Sequence, residues 1–191
     1  MVHSGEGWCV WLTGLPGSGK STIARSLKEE MASRGIGSQV LRLDAFRKII
    51  VPEPQYTETE RDIVYNTLVF IAKLLTQNGI NVILDATANR RRWRDAARDE
   101  IEKFYEVFID CPLEVCMERE ASRTDNLVIS GLYKKALERR RIGETSTDGL
   151  GQMVGVDVPY EEPLSPDLVI DSNSTAPLEA SVIIIDSLML K

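Results

Sequence analysis

The chain has one histidine, His3, and three cysteines, Cys9, Cys111 and Cys116, in 191 residues. A histidine-ligated metal centre or a Ser-His-Asp triad needs imidazoles that a lone His3 in a polar N-terminal stub does not supply. The cysteines stand in apolar contexts without the paired short spacings of a zinc site or redox motif. They read as small core residues of a protein in a reducing compartment. Long apolar runs are missing as well: none approaches the roughly 20 residues that cross a bilayer, and residues 1–7 lack the features of a signal peptide. A cytoplasmic protein with no membrane contact is expected. Positive charge is in deficit, 23 Lys+Arg against 29 Asp+Glu, for a formal net charge of −6. That balance argues against binding along nucleic acid and leaves room for a local basic pocket around a small anion.

What is present is apolar content of 43%, enough at this length for one α/β domain spanning residues 1–191 to bury a core without metal or disulfide staples. An apolar strand, Trp8 to Thr13, precedes a glycine-rich turn and a helix from Lys20 to Ser33 with Ile23, Leu27 and Met31 on one face. A second strand, Gln39 to Leu43, leads into Asp44 and a short helix, Phe46 to Ile50, stopped by Pro52 and Pro54. The next helix opens at Thr57 with Glu60 three residues on, a capping-box spacing, and runs to Gly79. Strand Ile80 to Leu84, helix Arg90 to Phe104, strand Tyr105 to Ile109, helix Leu113 to Arg119, strand Leu168 to Ile170 and helix Pro177 to Leu190 continue the alternation. Strands separated by helices predict a mostly parallel sheet covered on both faces, a three-layer α/β/α fold. Residues 121–155 differ, being polar, with one helix from Leu132 to Arg141, and read as a lid.

The segment Gly14-Leu15-Pro16-Gly17-Ser18-Gly19-Lys20-Ser21 fits G-x-x-x-x-G-K-[ST] directly after a strand and directly before a helix. Glycines let successive backbone N–H groups converge on one anion, and the helix N-terminus adds partial positive charge. Lys20 can reach the β- and γ-phosphates of ATP, and the Ser21 hydroxyl can ligate Mg²⁺ between them. The base-reading and switch motifs of GTPases are absent, which favours a small kinase with an acceptor site beside the γ-phosphate. Two strand ends supply groups for that site. Asp44 follows the second strand as base or magnesium-shell carboxylate, with Arg47 one turn later to hold an acidic acceptor. Asp85 ends the strand Asn81-Val82-Ile83-Leu84-Asp85 and can order magnesium-bound water or the acceptor. The cluster Arg90, Arg91, Arg92, Arg94 and Arg98 cannot face one direction on a helix, so most of it is expected to be solvent-facing charge.

Taken together the residues resemble the adenylylsulfate kinase family of P-loop kinases. The resemblance is carried by Val10 through Ala24, by Ala72-Lys73-Leu74-Leu75 with Asn78-Gly79, by Cys111-Pro112-Leu113-Glu114-Val115-Cys116, by Gly131-Leu132-Tyr133-Lys134-Lys135-Ala136, and by Pro159-Tyr160-Glu161-Glu162-Pro163 with Pro166 and Leu168. It implies transfer of the ATP γ-phosphate to the 3′-hydroxyl of adenylylsulfate. ATP would be held by Gly14, Leu15, Pro16, Gly17, Ser18, Gly19, Lys20, Ser21 and Thr22, with Arg119 against the adenine. Lys20 and Asp44 would be catalytic, Ser21 the magnesium ligand, and Arg47, Tyr56 and Arg61 the acceptor-binding set, with Asp85 nearby and Lys134 in the lid. The resemblance also allows a homodimer, for which the sequence carries no interface pattern.

The chain departs from the family pattern at several positions. Arg42-Leu43 stand where the family motif opens with Asp-Gly, Val64 replaces an acceptor asparagine, Met153 a stacking phenylalanine, Asp85-Ala86-Thr87-Ala88-Asn89 an Ile-Ser-Pro-Tyr segment, and Val128-Ile129-Ser130 an Asp-Pro-Lys. These changes spare the ATP loop and bear on the acceptor. Adenylylsulfate is therefore the first acceptor and another small anionic alcohol or a polynucleotide 5′-hydroxyl the second. A nucleotide-binding regulatory domain without transfer is the alternative of another class.

Overall fold

Five strands form one parallel sheet in the order β2-β3-β1-β4-β5, in a computed structural model that describes residues 5–122, 131–143 and 152–190. The strands are β1 (Cys9–Thr13), β2 (Ser38–Arg42), β3 (Asn81–Asp85), β4 (Phe104–Asp110) and β5 (Leu168–Asp171). The helices are α1 (Lys20–Ser33), α2 (Leu43–Ile50), α3 (Glu58–Gln77), α4 (Arg91–Glu100), α5 (Leu113–Ala121), α6 (Leu132–Arg141) and α7 (Pro177–Ser187). The central β1 is fully buried and apolar up to its last residue, Thr13, as a strand covered on both faces must be.

Strand alternation sorts the side chains between two cores. Cys9 and Trp11 of β1 and Val82 and Leu84 of β3 join α3 and α4 residues such as Val64, Leu68, Trp93 and Ala97. Val10, Leu12 and Ile83 join Ile23, Leu27 and Met31 of α1 and Ala180 and Ile184 of α7 on the opposite side. Aromatic contacts stiffen the first core: Tyr65 stacks on Trp93 at 4.2 Å, and Trp11 meets Phe104 edge-on at 6.2 Å. A third, smaller cluster of Cys111, Cys116, Tyr133, Ala136 and Met153 packs α6 against α5. The three cysteines are free and buried, and burial pushes the Cys116 thiol up to about 12.

Helices α1 and α6 match the sequence expectation end to end, whereas other elements shift at their ends, most by one or two residues and a few by more. Leu43 begins α2 rather than ending β2, because the chain leaves its extended conformation after Arg42, at φ −94 and ψ 119. Asp44 therefore sits in the first turn of a helix, where its charge opposes the helix dipole favourably. The helix expected from Arg90 to Phe104 stops at Glu100, since Ile101 is already extended and Phe104 opens β4 against Trp11. The last helix stops at Ser187 rather than Leu190. At α3 the Thr57 hydroxyl accepts from Glu60 N–H at 3.2 Å as expected. The Glu60 carboxylate reaches past Thr57 to the N–H groups of Gln55 and Tyr56, at 2.6 and 2.9 Å.

Of the expected lid, residues 121–122, 131–143 and 152–155 are described. His3, Val128, Ile129 and Ser130 lie outside the described residues. Among the described residues no helix is long and apolar enough to cross a membrane.

Candidate active site

The loop between β1 and α1 is fixed by its neighbours. Gly17 has φ +86, and a Cβ there would lie 2.2 Å from the Cys116 carbonyl oxygen, so only glycine lets the loop pass this close to α5. A Cβ on Gly14, at φ +147, would lie 2.4 Å from the Ile109 carbonyl oxygen of β4. Gly19, left-handed at φ 97, caps α1 without a side chain. At the start of α1 the Thr22 and Ile23 N–H groups both donate to the Gly19 carbonyl at 3.0 Å, and a helix N-terminus opening directly from a glycine-rich loop suits a phosphate. Lys20 is buried, its Nζ donating to the carbonyls of Gly14 and Leu15 at 2.9 and 2.7 Å. Ser21 is half-buried and Thr22 exposed at the start of the helix.

Three other segments brace the loop. Ser172, just past β5, donates to the Ser18 carbonyl at 2.7 Å, and Arg119 of α5 donates to the Ser172 carbonyl at 3.0 Å. Arg119 Nη1 lies 3.8 Å from where a Gly19 Cβ would be, placing its guanidinium beside the loop. The Tyr133 hydroxyl of α6 donates to the Pro16 carbonyl at 3.0 Å. Thr13, immediately ahead of the loop, donates to the Thr87 carbonyl at 2.7 Å and shares a 2.8 Å hydrogen bond with the Tyr160 hydroxyl. Burial pushes the Tyr160 phenol up.

A second group lies beyond the carboxyl ends of β2 and β3, where open α/β sheets bind ligands. Asp44 is exposed there. Arg47 and Arg61 are both buried, and their guanidinium carbons lie 5.0 and 5.8 Å from the centroid of the Tyr56 ring. Tyr56 adopts φ 56, a strained value for a residue with a side chain, and the Glu60 carboxylate holds its N–H. Glu60 also pairs with Arg47 at 2.9 Å. Arg61 donates through Nε to the Tyr56 carbonyl at 3.0 Å, and no ion pair to it occurs among the described residues. Burial, aided by the Arg47 charge, lowers its proton affinity. A buried guanidinium without a carboxylate favours an incoming anion.

Lys134 is not brought to this group. It is exposed on α6 and lines a cavity of about 310 Å³ with Met117, Leu137, Glu138 and Arg141. Val64 and Met153 are core residues, fully buried and 4% exposed, rather than parts of an acceptor wall. Arg94 departs furthest from the solvent-facing reading of the arginine cluster. It is 1% exposed, bonds Glu106 at 2.6 Å and donates to the carbonyls of Ala88 and Glu161. Its guanidinium lies over the Tyr160 ring at 5.6 Å. The legible signal was its place between Trp93 and Ala97 on a helix this short. Tyr133, Ser172 and Tyr160 carried no comparable sign of the loop contacts they make.

Among the described residues no cluster of three or more His, Cys, Asp or Glu could hold a metal by itself. The hydroxyl of Ser21, at the start of α1, instead suits Mg²⁺, which keeps waters and takes ligands from bound phosphates.

The model of the adenylylsulphate kinase family matches residues 6–171. The adenylyl-sulfate kinase of Rippkaea orientalis is 37% identical over 163 residues, 85% of this chain and 81% of the relative. A probable adenylyl-sulfate kinase of Archaeoglobus fulgidus is 37% identical over 164 residues, 86% and 95% of the two chains. The APS kinase of Mycobacterium tuberculosis, solved in complex with AMPPNP and APS, superposes with a TM-score of 0.78 at 29% identity over 97% of this chain and 99% of that one. With a phosphate loop and a two-arginine site at the ends of one parallel sheet, and with relatives matched over most of its length, the chain belongs to the adenylylsulphate kinase family.

Proposed function

We propose that the chain transfers the γ-phosphate of ATP to the 3′-hydroxyl of adenylylsulfate. The observation that carries the acceptor side is Arg61, buried against Tyr56 and lacking a carboxylate partner among the described residues, so that one positive charge awaits an anion. Arg47, already paired to Glu60, holds the same ring.

In this reading the loop amides and Lys20 hold the β- and γ-phosphates, and Arg119 flanks the base. Ser21 would ligate Mg²⁺, which when bound neutralises charge between the β- and γ-oxygens. Arg47 and Arg61 position the acceptor. Asp44 accepts the proton from its hydroxyl as the oxygen attacks phosphorus in line with the departing ADP oxygen. Strand alternation supports this division of labour. Ile83 of β3 points to the α1 side, so Asp85 two residues on stands on that side, whereas Asp44 lies on α2, whose Phe46 and Ile50 pack on the opposite core.

The test is ADP release with ATP fixed and adenylylsulfate, nucleoside phosphates, a 5′-hydroxyl oligonucleotide and phosphorylated polyols offered in turn. Adenylylsulfate should give the highest kcat/KM. Asp44→Asn should lower kcat by roughly 10²-fold with AMPPNP affinity unchanged. Turnover of another acceptor with none of adenylylsulfate would overturn the substrate, and a large loss in Asp85→Asn with none in Asp44→Asn would exchange the two carboxylates.

A further inference from the structure

Arg42 and Asp85 are register partners at the carboxyl ends of β2 and β3, and Asp85 is in register with Leu12 of β1, two residues before Gly14. Their side chains form an ion pair of 3.4 Å in which Asp85 is 6% exposed and Arg42 31%. Alternation fixes the side of the sheet on which this pair stands. Val40 of β2 and Ile83 of β3 both pack toward α1 and α7, and two residues further along each strand the side chain returns to the same side. Arg42 and Asp85 therefore share the face from which α1 rises with Lys20 and Ser21 at its start. The backbone around Asp85 is pinned as well. Trp11 Nε1 donates to the Ala86 carbonyl at 2.9 Å and Thr13 Oγ1 to the Thr87 carbonyl at 2.7 Å. The position of the Asp85 backbone is thus set by β1, and Arg42 stands beside its carboxylate as an ion-pair partner, with Nε at 3.4 Å outside hydrogen-bonding geometry.

A carboxylate this buried, beside a loop built for polyanionic phosphates, is costly unless a cation stands next to it. Arg42 supplies that cation and keeps 31% of its side chain exposed. We propose that Arg42 is a positioning residue: it holds the Asp85 carboxylate on the α1 side, where that carboxylate orders the water shell of magnesium-bound ATP. Asp85 serves the nucleotide and not the acceptor. This rests on the nucleotide half of the kinase reading and is independent of which alcohol is phosphorylated.

The experiment measures AMPPNP binding calorimetrically across a magnesium titration, for the unmodified chain and for Arg42→Gln, Arg42→Lys, Asp85→Asn and the double variant Arg42→Gln/Asp85→Asn, with thermal unfolding of each. Partners of metal-ordering groups change metal affinity by about 10- to 100-fold when lost. Arg42→Gln should raise the half-saturating magnesium concentration at least 10-fold, with little change in AMPPNP affinity without magnesium, and Arg42→Lys should recover much of the loss. Adding Asp85→Asn to Arg42→Gln should cost little more, because the two act as one unit. In turnover assays kcat should fall and the KM for adenylylsulfate stay within about 2-fold. A folded Arg42→Gln with unchanged magnesium dependence overturns the proposal. So does a loss confined to the acceptor KM, which would place Arg42 in the acceptor site. If adenylylsulfate proves not to be the acceptor, the magnesium titration still decides the role of Arg42.

Discussion

Replacing Gly17 by alanine tests the close passage of the phosphate loop over α5. Two costs combine. Alanine at φ +86 is in the left-handed region, worth about 1–2 kcal/mol. Its Cβ would also start 2.2 Å from the Cys116 carbonyl oxygen, which belongs to the backbone of α5 and has no rotamer by which to yield. An ordinary contact needs the loop and the helix to part by roughly 1 Å, with a further loss of order 1–2 kcal/mol as loop and helix repack. Gly35→Ala is the internal control. Gly35 has a similar φ of +77 with nothing within 4 Å of its Cβ, so it pays the strain alone. Gly17→Ala should melt about 5–15 °C below the parent and Gly35→Ala only about 2–8 °C below. A loop displaced by about 1 Å should also lower kcat on the order of 10²-fold, whereas Gly35→Ala should leave turnover unchanged. Thermal unfolding with and without AMPPNP, beside coupled ADP release, reads both effects. Equal melting temperatures and parental turnover in the two variants would refute the packing of loop against helix.

Lys20→Ala should lower kcat by about 10³-fold or more while the fold persists, because it removes a charge from the transferring phosphate, whereas its contacts to the Gly14 and Leu15 carbonyls and the Ser18 hydroxyl are local to the loop; near-parental turnover in the folded variant would contradict the assignment. Arg94→Met should cost about 3–5 kcal/mol by leaving Glu106 buried with only the 3.5 Å contact to Arg98, and chemical denaturation should show the Arg94→Met/Glu106→Gln double variant recovering part of it. The Arg91 N–H, with the Arg90 guanidinium, holds the Glu161 carboxyl below the usual carboxylate range. Its contribution is then present above the unfolded value near ~4.3 and lost as pH falls through the lower folded value. Glu161→Gln should accordingly melt below the parent at pH 7, with the gap closing as the pH falls below the ordinary carboxylate range; a gap independent of pH would count against that ion pair.

The nucleotide half of the site was legible because it is contiguous. Residues 14–21 carry their own turn chemistry, and the apolar strand before them and the amphipathic helix after them dictate where they sit. The acceptor half comes from separated segments whose meeting depends on tertiary packing. Arg47 was read from its place one turn after Asp44 and Arg61 from the resemblance, but nothing local announced that Glu60 would bypass Thr57 to clamp Tyr56, or that both guanidiniums would share one ring. For a related reason Arg94 was not singled out from its neighbours. Three arginines in a run with a fourth just beyond suggest a solvated face, and the Glu106 carboxylate with the Ala88 and Glu161 carbonyls makes burial of Arg94 favourable. Boundaries slipped where one apolar residue suits two elements, as Leu43 and Phe104 do.

The sheet also acts as a partition. Groups assigned to ATP and magnesium lie on its α1 side and groups assigned to the acceptor on its α2 and α3 side, so few partners are shared across it. Free-energy changes at sites without common partners add to within about 0.5 kcal/mol. Substitutions around Tyr56 and Arg61 should thus alter acceptor choice without disturbing nucleotide affinity. That independence gives a lineage room to drift toward new alcohols one residue at a time while its phosphate donor stays fixed.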